Sequence, residues 1–266
     1  VRDEARSMQR SLLEGKKSPE GKMDIVVSPM VSGIAAHESC GHPTEADRVL
    51  GREASQAGKS FIGPDGLGMK VGSEVVNVCD DPTLPHAIAY YETDDEGVRA
   101  RRRYLYKEGR VHEFLQNRET ASAFSTRSNG ASRAVNYNVE AIVRMANTFV
   151  EPKDHSVEEL LEGVKFGVYM KSFMEWNIDD KRYNFQFGCE IGWEIKRGKR
   201  VRMLKNPSYS GISTEFWNAC EAIAGREHWT LWGVPNCGKG QPEQVAHTGH
   251  GAAPARFRNV QVGVMK

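Results

Sequence analysis

Apolar and polar positions fall in short blocks along this chain, and most blocks carry the period of a strand rather than of a helix. Residues 3–15 (DEARSMQRSLLEG) are charged with apolar residues at helical spacing and predict a helix. Residues 23–31 (MDIVVSPMV) predict a short β-branched strand that delivers the chain into a helix beginning with the small residues GIAA. SEVVNV, residues 73–78, predicts another strand. The basic run at residues 99–107 reads as a solvated helix face, while its second half, followed by KEGR at 107–110, also has the form of a hairpin. Residues 113–126 look helical, Asn129-Gly130 is a strong turn signal, and residues 141–150 are extended and apolar until Glu151-Pro152 ends them. In DHSVEELLEGV, Asp154 or Ser156 is a good N-cap, with Glu158 and Glu159 set against the helix dipole.

The last hundred residues are the richest in strand pattern. FGVYMKSFMEW is followed by alternation over residues 183–195 and the turn KRGKR at 196–200, which predicts an antiparallel hairpin. Residues 214–224 predict an amphipathic helix: Phe216, Trp217, Cys220, Ile223 and Ala224 share a face, and Gly225 follows as a C-cap. The Gly- and Pro-rich tail then reads as loop until a final strand at 257–264. The fold class these elements imply is α+β, a mostly antiparallel, β-rich domain with a few helices and the GIAA helix near its N-terminal end.

Composition narrows the functional classes. The chain has 266 residues, enough for a sizeable core, and 36 basic against 35 acidic side chains leave no net field to hold nucleic acid or an anionic membrane. No apolar run approaches the roughly 18 residues of a membrane span. Five cysteines, odd in number and unpatterned, fit a reducing cytoplasm better than a disulfide framework. Residues 48–72 contain six glycines and one proline, so they read as loop, placed to form a wall or lid beside whatever precedes them.

What precedes them is GIAAHESCGHPTEAD, residues 33–47, in which His37, Glu38 and His42 form H-E-x-x-x-H. The pattern is one residue longer than the H-E-x-x-H of helix-borne zinc hydrolases. Histidines four apart diverge by about 40° around an ordinary helix and can face one metal, whereas five apart they diverge by about 140°. Both can therefore bind one ion only if the extra residue is absorbed by a π-bulge or by ending the helix between them. Gly41 relaxes the backbone there, and Pro43 lacks an N–H and crowds the carbonyl of Ser39.

HESCGHPTEAD resembles the signature of the TldD/PmbA family of zinc-dependent peptidases, of the TldD type, because the companion subunits of that family lack the motif. The resemblance continues at GSEVVNVCDDPT (72–83), SNGASRA (128–134), RMANTFVEP (144–152) and PNCGKGQP (235–242). It departs at 172–195, where Trp176 and charged residues replace the family's usual glycine-rich stretch. Residues 1–266 are thus similar to the metal-bearing central and C-terminal region of a longer protein whose N-terminal domain is absent. The resemblance implies one zinc ion per chain, a β-rich fold, cytoplasmic degradation of short or unfolded peptides, and a homodimer or a heterodimer with a motif-lacking subunit enclosing the site. A chain without part of that enclosure is expected to bind metal even if it turns over nothing.

Catalytic zinc takes three protein ligands and leaves a position for water. Cys237 is the third donor of choice, because it lies in PNCGKGQP among glycines and prolines and matches the cysteine ligand of the TldD pattern. His247 and His250, spaced H-T-G-H, are the rivals, and a role in holding substrate suits them better. With those ligands, Glu38 is the general base for an attacking water and the acid for the leaving amine. Glu45 and Asp47 lie close enough after His42 to orient a ligand. Asn129, Arg133 and Lys239 are candidate substrate contacts because they fall in family-like segments. Two other classes remain open: a zinc-stabilised structural or interaction module without turnover, and a metal-dependent hydrolase of a non-peptide amide.

Overall fold

The computed structural model describes residues 2–53 and 58–265. Two sheets hold one short helix between them. In the larger sheet the pairings return on themselves. Asn184–Lys196 pairs antiparallel with Phe166–Ile178 along its length and with Pro207–Ile212 at its start. Pro207–Ile212 pairs with Ala255–Val264, that strand with Gly21–Val27, and Gly21–Val27 runs parallel to Phe166–Ile178. The result is a closed ring of five strands, which removes the open edges of a sheet. Phe185, Tyr209, Phe216 and Phe257 fill it, with Phe216 and Phe257 stacked at 4.1 Å between ring centroids.

The second sheet has the order Thr230–Lys239, Gln244–Ala252, Asn147–Val150, Val78–Asp80, Arg103–Lys107, Arg110–Val111. Gln244–Ala252 runs on through Ala253-Pro254 into the last strand of the ring, so one stretch of chain ties the sheets together. The fold is α+β, with most strand pairings antiparallel.

Several predicted boundaries shift for identifiable reasons. The strand expected over 23–31 ends at Val27, because Ser28 caps a helix by accepting the Val31 N–H at 3.4 Å and Pro29 stands at its first position. The strand expected over 73–78 is displaced to Val78–Asp80. The basic run is a strand rather than a helix face: Arg103 is fully buried on Asp80, and Arg101 and Arg102 pair with Glu113 and Glu151. Of the helix expected over 113–126, only Arg118–Ala123 forms, behind an Asn117 capping box. The amphipathic helix at 214–224 stops at Asn218, because Cys220, Ala222 and Ile223 pair with the final strand instead; Gly225 is consequently no C-cap. The tail read as loop is a hairpin, Thr230–Lys239 with Gln244–Ala252. Ser156, the turn at Arg197-Gly198 and the turn at Glu108-Gly109 match expectation.

Candidate metal centre

The helix Pro29–Ala36 is buried from Val31 onward and packs between the two sheets. Its small residues permit that approach: a Cβ on Gly33 would come within 2.7 Å of Trp232. The helix then widens into one π turn, His37–Gly41, closed by the His42 N–H donating to the carbonyl of His37 five residues back. This is the register that brings residues five apart onto one side.

The widened turn strands backbone carbonyls in the core, and each finds a donor. Pro43 cannot donate to Ser39, whose carbonyl accepts the Tyr106 hydroxyl at 3.2 Å. The Cys40 and Gly41 carbonyls both accept from Thr44 Oγ1, at 2.9 and 2.8 Å. Trp217 Nε1 donates to Ser39 Oγ at 2.8 Å. A Cβ on Gly41 would lie 2.0 Å from the sulfur of Met145, so a side chain there requires Met145 to shift. The distortion is thus built into the surroundings.

His37 Nε2 and His42 Nε2 lie 3.4 and 3.7 Å from Cys237 Sγ, and the three donor atoms fall within 4.8 Å of one another. All three residues are buried. Bonds of about 2.0–2.3 Å to a tetrahedral zinc put ligand atoms roughly 3.5 Å apart, so the donor set fits that ion in chemistry and in spacing. His37 Nδ1 is buried without a hydrogen-bond partner among the described residues, which leaves Nε2 as the functional edge of the ring. Burial pushes the pKa of both imidazoles down, against the pull of nearby carboxylates, that of His42 to about 4. They are neutral, as ligands need to be. Burial alone would raise the Cys237 thiol, but His42 beside it brings its pKa below the ordinary value.

A second layer fixes the ligands. His42 Nδ1 bonds Glu45 Oε2 at 2.9 Å, and the same oxygen meets Arg48 Nε at 3.0 Å and Lys239 Nζ at 3.4 Å. Burial works against the Glu45 carboxylate, yet Lys239, His42 and Arg48 hold its pKa well below the ordinary range. Lys239 also donates to Asp47 at 2.8 Å, so the hairpin carrying Cys237 is pinned to the segment after His42. Asp47 is raised by burial, and Lys239 offsets only part of that. Arg144, fully buried, clamps the same hairpin through the carbonyls of Cys237 at 2.5 Å and Gln244 at 2.8 Å.

The donors open onto a cavity of about 340 Å³. Glu38, His250, Trp176, Asp180, Arg182 and Asn236 are on its wall. Arg182 Nη1 donates to Glu38 Oε2 at 2.5 Å. His250 packs 4.1 Å from His37 between ring centroids, and its pKa is well below ordinary because it is buried and because His37 and His42 are close. The other expected contacts lie off the cavity lining. Asn129 is spent on the turn it makes, to Gln116, Glu113 and Phe114. Arg133 donates to the carbonyls of Met145 and His247, the side chain of His247 is exposed, and Lys239 is committed to the two carboxylates.

None of the described residues of the stretch 48–72, expected to form a wall or lid, lines the cavity. Residues 54–57 of that stretch lie outside the described residues; of the rest, Ser60 Oγ donates to the Pro43 carbonyl beside the motif at 2.7 Å, and Phe61 N donates to the Lys181 carbonyl at 2.9 Å. The wall comes instead from residues 176–182, at the tip of the long hairpin. Arg182 and Arg144 are the residues the sequence did not single out. Arg144 sits in a family-like segment and was visible as a charge inside an apolar run. Arg182 had no such signal.

Residues 20–264 match the PmbA/TldA metallopeptidase C-terminal domain. The chain is 36% identical over 208 residues to a metalloprotease of Methanocaldococcus jannaschii, covering 78% of this chain and 44% of that protein. It is 33% identical over 252 residues to a metalloprotease of Methanothermobacter thermautotrophicus, covering 95% and 52%. It is 30% identical over 215 residues to a zinc metalloprotease TldD homologue of Saccharolobus solfataricus, covering 80% and 46%. The chain therefore spans about half the length of these relatives. The crystal structure of TldE from Thermococcus kodakarensis shares the fold, with a TM-score of 0.74 at 17% identity over 97% of this chain and 54% of that one. Sequence match and fold agree, and the chain belongs to the TldD/PmbA family of metallopeptidases.

Proposed function

We propose that this chain is the metal-bearing part of a zinc-dependent peptidase acting on short or unfolded peptides. The observation that carries the reading is the convergence of His37 Nε2, His42 Nε2 and Cys237 Sγ within 4.8 Å beside an open cavity. When bound, zinc supplies Lewis acidity, acidifying a water and polarising a carbonyl. Glu38 follows a ligand in sequence, lies on the cavity wall and is absent from the donor cluster, which suits a general base that takes a proton from water and returns it to the leaving amine. His250, neutral and buried at the wall, would hold peptide polar groups. Glu45 keeps the His42 Nδ1 proton in place and so presents Nε2 to the metal.

Three protein donors beside a cavity are the pattern of a catalytic site, whereas a structural zinc is closed by four, so the peptidase reading stands ahead of the structural module. Peptide over another amide, a dimeric enclosure by a like or motif-lacking subunit, and a cytoplasmic setting rest on the family resemblance. Among the described residues no helix is long and apolar enough to cross a membrane. The test is to load the chain with zinc, in isolation and within the longer protein, and follow cleavage of an unstructured peptide. Glu38→Gln should keep near-stoichiometric zinc and lose hydrolysis by about 100-fold or more. Hydrolysis at the parent rate would remove Glu38 from the base role, and loss of zinc would make it a ligand.

A further inference from the structure

The long hairpin of Phe166–Ile178 and Asn184–Lys196 ends in a turn that is tied down on several sides. Asp179 N donates to the Asn184 carbonyl at 2.9 Å, and Arg182, at a left-handed φ of 63°, donates its N–H to the Asp179 carbonyl at 2.8 Å. The Asp179 carboxylate accepts the N–H groups of Tyr183 and Asn184 at 2.8 and 3.1 Å. From outside the hairpin, Phe61 N donates to the Lys181 carbonyl at 2.9 Å and Ser213 Oγ to that of Arg182 at 2.7 Å. A turn bonded in this way fixes the backbone from which its side chains project, even at the surface. One of them is Asp180, which is exposed at the cavity wall and has neither a hydrogen bond nor an ion pair among the described residues. Trp176 is on the same wall, 41% exposed, with Phe173 edge-on to its indole at 5.1 Å between ring centroids.

The charges on that wall do not balance. Glu38, Asp179 and Asp180 line it, with Arg182 as the one cation among the described residues, and Arg182 is bonded to Glu38. A zinc ion held by His37, His42 and Cys237 brings two positive charges and the thiolate cancels one, so the lining remains negative. A cleft lined with one sign of charge draws the opposite sign. Asp179 spends its carboxylate on backbone N–H groups, which leaves Asp180 as the carboxylate that an incoming cation can meet. Beside it, the open indole of Trp176 offers a face to a methylene stem or to the plane of a guanidinium. An α-ammonium would satisfy the carboxylate but has no stem to lie on the indole. Resting on the reading of this cavity as a peptide site, we propose that Trp176 and Asp180 form a subsite for a basic side chain. Peptides with arginine or lysine near the scissile bond are then preferred.

Calorimetry on the zinc-loaded chain tests this apart from turnover. The probes are acetyl-Ala-Arg-Ala-amide and the same peptide with citrulline, which keeps the length and planar end of arginine without its charge. The arginine peptide should bind about fivefold more tightly, the size expected of an exposed ion pair joined to a cation–π contact. Asp180→Asn should remove most of that difference, and Trp176→Leu should remove part of it. The Asp180 side chain makes none of the bonds that hold the turn, so the asparagine variant leaves the fold of the hairpin intact. Trialanine amide, with its amino terminus free or acetylated, is the second arm. A preference for the free amine as large as that for arginine assigns the subsite to the peptide terminus and overturns the side-chain proposal. Equal binding of the arginine and citrulline peptides, binding of neither, or a difference that survives Asp180→Asn overturns it as well. A preference for arginine in a chain that cleaves neither peptide counts against hydrolysis and not against the subsite, whereas cleavage of both with equal affinity counts against the subsite alone.

Discussion

His42 presents Nε2 toward Cys237 because its other nitrogen, Nδ1, is 2.9 Å from Glu45 Oε2. Glu45 is fully buried and shared with Arg48 and Lys239, so its removal frees the imidazole and leaves Arg48 with Glu53 and Lys239 with Asp47 as their remaining carboxylates. Glu45→Gln should lower zinc affinity by roughly 10- to 100-fold, and weakening this buried charge network should cost about 1–3 kcal/mol of stability. Zinc titration against a competing chelator and urea unfolding check the two effects separately.

The zinc-free chain should lose stability on acidification earlier than carboxylate titration alone requires. His42 has its pKa at about 4 in the folded chain against an ordinary 6.5, so between those values the unfolded chain takes up a proton that the folded one does not. Stability then rises with pH through that window and falls as pH drops from 6.5 toward 4. His37 and His250, also lowered by burial, act in the same direction. Glu45, with a depressed pKa, adds stability that is present above its ordinary 4.5 and lost as pH falls through the folded value. Urea midpoints measured from pH 7 to pH 4 should slope downward, and His42→Gln should flatten the slope above pH 4.5.

Gly41 is the residue that lets the π turn lie against Met145. Gly41→Ala puts a Cβ 2.0 Å from Met145 Sδ, in a core position, and overpacking of this kind costs about 1–3 kcal/mol. The strain falls between the two histidines, so the variant should also bind zinc more weakly. Unchanged zinc affinity would mean that the turn tolerates a side chain there.

Arg144 is expected to act on the metal through the backbone of Cys237. Arg144→Met keeps much of the volume but drops the bonds to the Cys237 and Gln244 carbonyls. Zinc affinity should fall by about tenfold, with the loss appearing as faster zinc release. Arg133→Met, which removes bonds to Met145 and His247 instead, is the control.

The motif and its π turn were legible because the spacing of His37 and His42 is incompatible with a regular helix, and Gly41 and Pro43 mark where it gives way. The hairpin bearing Cys237 was not. Its glycines and prolines read as loop, yet Thr230–Lys239 is an edge strand, where Pro235 is tolerated, and its ladder is interrupted between Val234 and Cys237, so Pro235 falls where no inter-strand bond is made. The helix predicted over 214–224 failed for the opposite reason. The apolar pattern continues past Asn218, but the final strand has an edge to offer there, and long-range pairing overrides local period. Arg182 escaped notice because a charged turn looks solvent-facing until the left-handed backbone at that residue aims the side chain inward.

X-ray absorption at the zinc edge on the purified, zinc-loaded chain reads directly whether His37, His42 and Cys237 hold one zinc ion. One sulfur near 2.3 Å and nitrogen or oxygen donors near 2.0–2.1 Å are expected. The sulfur should be lost in Cys237→Ser and kept in Cys40→Ser, whose side chain is buried in the core outside the donor cluster. A spectrum without sulfur in the parent, or a sulfur that disappears only with Cys40→Ser, would contradict that ligand set.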